Sequence, residues 1–87
     1  MRLWLSSRLW TQALPIIRRA LRLARGAFGE DHPNYATALN TEGGWYVHAG
    51  RRDEARQRFK SALRINRAAL GADHPSTRAS AANLAQT

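Results

Sequence analysis

Asp31-His32 and Asp73-His74 are the side chains in this sequence best suited to chemistry, and the two pairs lie 42 residues apart. Imidazole and carboxylate are common ligands for zinc and related metals. Each copy offers one His and one Asp, fewer than a closed zinc site uses, so the sequence assigns no metal. His48 lies near a helix end, where a cationic side chain meets the favourable end of the dipole. It either faces a groove or is an exposed polar residue. Ser6, Ser7, Ser61, Ser76 and Ser80 have no Gly-x-Ser-x-Gly setting for a nucleophile. Gly43-Gly44 lies inside a helical pattern and lacks the Lys-Ser/Thr that follows a phosphate loop. With six acids in 87 residues, carboxylates are too sparse for a paired acid–base site. No catalytic residue, no cofactor and no enzyme activity is expected.

Charge is the second source of chemistry. The formal net charge is +8, from 13 Arg and one Lys against six acids. Such a balance suits phosphate-rich partners, and it is also what a GC-rich coding sequence produces through its Arg codons. The cations are organised: Arg18, Arg22 and Arg25 follow one helix face, and Lys60, Arg64 and Arg67 repeat them 42 residues later. This stripe avoids the apolar positions. It reads either as a solvated face or as a contact for acidic protein segments or phosphates. Aromatics do not interleave with it, so stacking on single-stranded bases is not indicated.

The elements that must position these residues are helices. Leu9, Ala13, Ile16/Ile17, Ala20/Leu21, Ala24 and Phe28 recur at helical spacing, as do Ala55, Phe59, Ala62/Leu63 and Leu70. No alternation suggests a strand. Gly29 and Gly71 fit the positive-φ position just past a helix end, and Pro33 and Pro75 fit the first turn of the next helix. Asp31 and Asp73 are expected to meet the positive end of those helices. Gly50 closes the helix that begins at Pro33, Arg51-Arg52 form a short turn, and Asp53-Glu54 open the next helix. The sequence therefore predicts a short helical remnant near 1–7 and helices near 9–28, 33–49, 52–70 and 75–87, packed antiparallel through short connections. Pro15 is placed close to the start of the first long helix.

Eighty-seven residues make at most one small domain. Cysteine is absent, so neither disulfides nor thiolate metal sites arise. Leu3-Trp4-Leu5 is too short for a secretory apolar region. No stretch reaches the roughly 20 apolar residues that span a bilayer. A soluble, cytoplasmic protein without membrane contact is the expectation.

The two halves of the sequence correspond. Gly29-Glu30-Asp31-His32-Pro33 is echoed by Gly71-Ala72-Asp73-His74-Pro75, and Ala13/Ala55, Ala20/Ala62, Leu21/Leu63, Arg22/Arg64, Arg25/Arg67 and Ala27/Ala69 match at the same shift of 42. A constant period of this size marks a repeat architecture, in which each unit buries its apolar face only against a neighbour. Leu39, Gly43, Tyr46, Gly50, Ala55, Phe59 and Ala62 resemble the signature of the tetratricopeptide repeat. Gly43 and Ala55 are small where paired helices approach closely, and Tyr46 and Phe59 fill the space between them. The period, longer than the roughly 34 residues of the standard repeat, and the Gly-x-Asp-His-Pro loop are similar to the kinesin-light-chain-like subtype, which Ala13-Leu14-Pro15 and Leu39-Asn40 also fit.

That resemblance implies an all-α fold of antiparallel helix-turn-helix repeats forming a short right-handed α-solenoid. It implies a partial unit at 1–28, a complete unit at 29–70 and a partial unit at 71–87. Asp-His-Pro then serves as punctuation between helices. The first helix of each unit lines a concave face, presenting Thr37, Asn40, Thr41, Gly44, Val47 and His48, then Ala79, Ala82, Asn83 and Gln86, flanked by Leu5 and Ser6. Asn40 is similar to asparagines that clamp a bound peptide backbone, since an amide both donates and accepts. Ala82 takes the equivalent place in the next unit.

Glu42 stands where the repeat has a buried Leu, with Leu84 as its equivalent, and it is expected either to turn to the groove edge or to loosen the packing. Ala79, Ala81, Ala82, Leu84 and Ala85 at one end, and Trp4, Leu5 and Trp10 at the other, are expected to leave apolar uncapped faces. A cut array, or self-association through those faces, follows. The leading expectation is a protein–protein interaction scaffold that binds a peptide or partner segment. A basic nucleic-acid-binding module using the Arg stripe is the alternative, and a structural fragment with no partner is the third reading.

Overall fold

A computed structural model describes residues 2–87, with side chains from residue 12 onward. The chain forms α1 (Arg2–Phe28), α2 (Pro33–His48), α3 (Arg52–Leu70) and α4 (Pro75–Ala85). No strand occurs among the described residues. Packing follows chain order: α1 lies on α2, α2 on α3 and α3 on α4. This nearest-neighbour stacking is the arrangement of a short helical solenoid, elongated at 43 × 29 × 19 Å.

The α2–α3 pair holds the core. At one end Ala36 and Leu39 of α2 pack on Ala62 and Ile65 of α3, with Leu21 of α1 against them. At the other end Trp45 and Tyr46 meet Ala55 and Phe59, joined by Ala13, Leu14 and Ile17 of α1 and by Leu84 of α4. Close approach depends on Gly43. A Cβ there would sit 2.5 Å from the Phe59 ring, a distance that no side chain tolerates.

Both Asp-His-Pro corners fold alike. Gly29 and Gly71 take φ of 86° and 90°, the left-handed region that glycine enters without steric cost. Pro33 and Pro75 are the first residues of their helices. The capping acceptor differs from the expected carboxylate. His32 is the N-cap of α2, its Nδ1 accepting the Asn34 N–H at 3.0 Å. His74 does the same for α4 with the Ser76 N–H at 3.1 Å. A ring nitrogen without a proton offers the lone pair that an Asp or Ser oxygen usually supplies at this position. The His32 ring also stacks on Phe28, with centroids 4.7 Å apart.

Two expectations about the N-terminal part are corrected. The remnant near 1–7 and the helix near 9–28 are one helix, α1. The turn between α2 and α3 uses Gly50 at φ 78°. One repeat earlier that place is Arg8, which favours continued helix. Pro15 consequently lies inside α1 rather than near its start, and it leaves the Thr11 carbonyl without its helical N–H donor. The ends of α2 and α4 fall at His48 and Ala85, slightly short of the expected 49 and 87.

Glu42 does not turn to the groove edge. It is buried and forms an ion pair with Nε of Arg58 across α2 and α3. Burial alone would lower the Arg58 pKa. The Glu42 carboxylate, with a smaller contribution from Tyr46, outweighs that and raises it, so the guanidinium stays charged.

Candidate functional site

The α2 face away from the core carries Thr37, Asn40, Thr41, Val47 and His48. Thr37, Thr41, Val47 and His48 are exposed and Asn40 is half-buried. The Thr37 hydroxyl donates to the Pro33 carbonyl at 3.2 Å and that of Thr41 to the Thr37 carbonyl at 3.0 Å. Each hydroxyl oxygen keeps acceptor capacity beyond the bond it donates. Gly44 lies on the same helix with open space beside it. On α4, Ala79 and Ala82 are exposed and Asn83 is half-buried. Gln86 is the exposed C-cap residue. Leu5 and Ser6, expected to flank this face, and Trp4 and Trp10, expected at the open end, have side chains outside the described residues.

Asn40 connects the two helices. Its Nδ2 donates to Ser80 Oγ on α4 at 3.0 Å, and Asn66 of α3 donates to the same oxygen at 3.0 Å. Asn66 Nδ2 also reaches the Ser76 carbonyl at 3.4 Å. Ser80, fully buried, is thus the meeting point of α2, α3 and α4. The amide oxygens of Asn40 and Asn66 are buried without a hydrogen-bond partner. Sequence reasoning missed Ser80 and Asn66. The available signal was Asn66 itself, a polar residue at a periodic position that carries Ala24 one repeat earlier.

The basic stripe divides between support and open surface. Arg18 donates to Tyr46 Oη at 3.4 Å, and Arg25 pairs with Glu30 at 3.8 Å. Arg58 and Arg51 lie over the Tyr46 ring at 5.3 and 5.2 Å, so the tyrosine is held by cations from both adjacent helices. Arg51 is itself paired with Glu54. Arg18, Arg22 and Arg64 share a cavity of about 600 Å³ between α1, α2 and α3 with Glu30, Asp31 and Glu42. Those carboxylates reduce its attraction for phosphate. Lys60, Arg64 and Arg67 border a second, apolar hollow of about 360 Å³ with Leu63, Ala68 and Leu84.

Asp31, Asp73 and the three histidines do not converge. Among the described residues no group of three His, Cys, Asp or Glu is placed to hold a metal. Among them, too, no helix is long and apolar enough to cross a membrane.

No curated protein matches the chain. The tetratricopeptide repeat profile matches residues 5–68 and, overlapping them, 43–87. Stacked antiparallel helices, a glycine admitting Phe59 and that match agree: the chain belongs to the tetratricopeptide repeat family, whose repeats are generally protein–protein interaction modules.

Proposed function

We propose that the chain binds an extended or helical segment of a protein partner on the face formed by α2 and α4. The observation that carries this reading is a strip of exposed, chemically mixed side chains on two helices joined by Asn40 and Ser80. Thr37 and Thr41 offer hydrogen bonds, His48 lies on the same strip, and Val47, 43% exposed, offers a shallow apolar contact. Asn83 and Gln86 extend the strip across α4. Asn40 supports the clamp idea through its Oδ1, an amide acceptor with no protein donor. The finer reading is a kinesin-light-chain-like array with units at 1–28, 29–70 and 71–87, acting as a cytoplasmic scaffold within a larger set of repeats. The support for it is the pair of matching Gly-x-Asp-His-Pro corners.

Selection from a displayed library of random peptides, followed by titration, tests the face. Asn40→Ala, and separately a Thr41→Arg/Asn83→Arg variant, should weaken the selected peptides at least tenfold. Undiminished binding to both removes the α2–α4 face from the proposal. The nucleic-acid alternative rests on Arg18, Arg22 and Arg64 meeting at one cavity. Duplex DNA bound there would lose affinity steeply between about 50 and 200 mM salt, whereas peptide binding would change little.

A further inference from the structure

We infer that α4 of one molecule pairs with α1 of a second copy, as α2 pairs with α3 within the chain, giving head-to-tail assembly. The starting point is two faces without cover. Positions in α1 correspond to positions in α3 at a shift of 42. In α3, Ala62 and Ile65 are buried against α2. In α1 the equivalents Ala20 and Leu23 face solvent, Leu23 at 63% exposure, and Ile16 is 70% exposed. On α4, Ala81 and Ala85 stand where α2 has Leu39 and Gly43, and both are exposed.

Three pairs of positions on the two faces can be compared, and of these residues Leu84 and Ile17 are half-buried because they also touch the chain's own core. The Glu42–Arg58 ion pair of the inner interface becomes Leu84 on α4 and Ile16 on α1, a charged pair replaced by an apolar one. Gly43 against Phe59 becomes Ala85 against Ile17, a larger residue facing a smaller one. Leu39 against Ile65 becomes Ala81 against Leu23. The charge lost at Glu42 and the methyl gained at Gly43 are each answered on α1, whereas Ala81 is smaller than Leu39 and meets a Leu23 no larger than Ile65.

The hollows supply an independent observation. Lys60, Leu63, Arg64 and Leu84 of the second hollow are the equivalents of Arg18, Leu21, Arg22 and Glu42 in the first cavity. The first cavity is bordered on one side by a wall from α3 that includes Arg58 and Ile65. The second has no such wall. The residues that would complete it are Ile16 and Leu23, the equivalents of Arg58 and Ile65, and their apolar character suits the apolar lining of Leu63, Ala68 and Leu84.

The same residues exclude wrong pairings. An α1 docked on α2 would set Ile16 against Glu42 and leave a buried carboxylate unpaired, which is strongly unfavourable. Arg78 at the place of Ala36 is the one charge on the α4 face. Its aliphatic stem must lie along α1 with the guanidinium at the rim, and this limits affinity. A contact between unlike faces gives a ring where the rotation between copies closes and an open filament where it does not. Copies carrying +8 each repel one another, so added salt favours assembly, the opposite of its effect on phosphate binding.

Sedimentation of the full chain over a wide concentration range, in low and high salt, is the test. Self-association should rise with concentration and with salt. Ile16→Arg and Leu84→Glu should each weaken it at least tenfold. The double variant, which transplants the inner ion pair to the outer faces, should restore it. Ile16 is exposed, so its substitution leaves the fold intact, and a thermal melt identifies any unfolding caused by Leu84→Glu. A chain that stays monomeric throughout overturns the inference, as does association that ignores Ile16→Arg or a double variant no better than the singles.

Discussion

The chain folds back on itself after His48 but runs straight on through residue 8, although the two places are 42 residues apart and correspond in the repeat. At the first, Gly50 takes φ 78° and brings α3 antiparallel to α2. At the second, Arg8 continues the helix. The consequence reaches far beyond a turn. α3 buries Ala55, Phe59, Ala62 and Ile65, whereas α1, with no helix folded back on it, leaves Ile16 and Leu23 in solvent. The face buried in α3 is left exposed in α1, and the two places differ in whether a glycine turns the chain.

The largest effect expected from breaking the closed pair is at Arg58. Arg58→Ala strands the buried Glu42 carboxylate. Removing one partner of a buried pair costs several kcal/mol, and the partial exposure of Arg58, 31%, puts the loss at about 3 kcal/mol. Denaturant unfolding measures it. Glu42→Leu/Arg58→Ile installs the α4–α1 pairing inside the hairpin and should recover the loss or exceed wild-type stability. A double variant as unstable as Arg58→Ala would mean that the pair is not interchangeable with its apolar counterpart, and the distinction between closed and open faces would need another cause.

How far these features were legible in the sequence follows from their range. The corners at Gly29-Pro33 and Gly71-Pro75 are local, since Gly and Pro act on their own dihedral angles, and they were readable. The helices were readable from spacing. The cap at His32 was not, because an imidazole nitrogen is a rare substitute for the oxygen acceptors preferred there. The continuity of α1 was missed for a related reason. The repeat register placed a corner at residue 8, but the residue that makes the corner, a glycine, is absent. Asn40 illustrates the longest reach. Its chemistry marked it as a clamp, yet its partner Ser80 lies 40 positions away and only the stacked fold brings them together. Likewise Glu42 looked anomalous until Arg58, 16 residues on, supplied the charge.

A smaller effect is expected at the turn itself. Gly50→Ala places a Cβ at φ 78°, where the left-handed region costs an L-residue about 1–2 kcal/mol. The space around Gly50 is open, so strain alone is measured. Unfolding at a lower denaturant concentration with an unchanged slope is the expected result. No loss of stability would show that the hairpin is held entirely by the packing of α2 on α3, and that the contrast with Arg8 is incidental.

Gly44 is the smallest and has the opposite sign. It sits in the interior of α2, and a Cβ added there would meet nothing within 4 Å, unlike Gly43 beside it. Gly44→Ala should therefore stabilise the helix by about 0.5–1 kcal/mol, raising the melting temperature, while Gly43→Ala drives a methyl into Phe59 and lowers it. The adjacent pair separates two uses of glycine, close approach at 43 and an open face at 44. If Gly44→Ala also weakens a selected peptide, the open space is where that ligand's backbone lies; if it strengthens the fold and leaves the peptide unaffected, the bound segment runs over Thr41 and His48 instead.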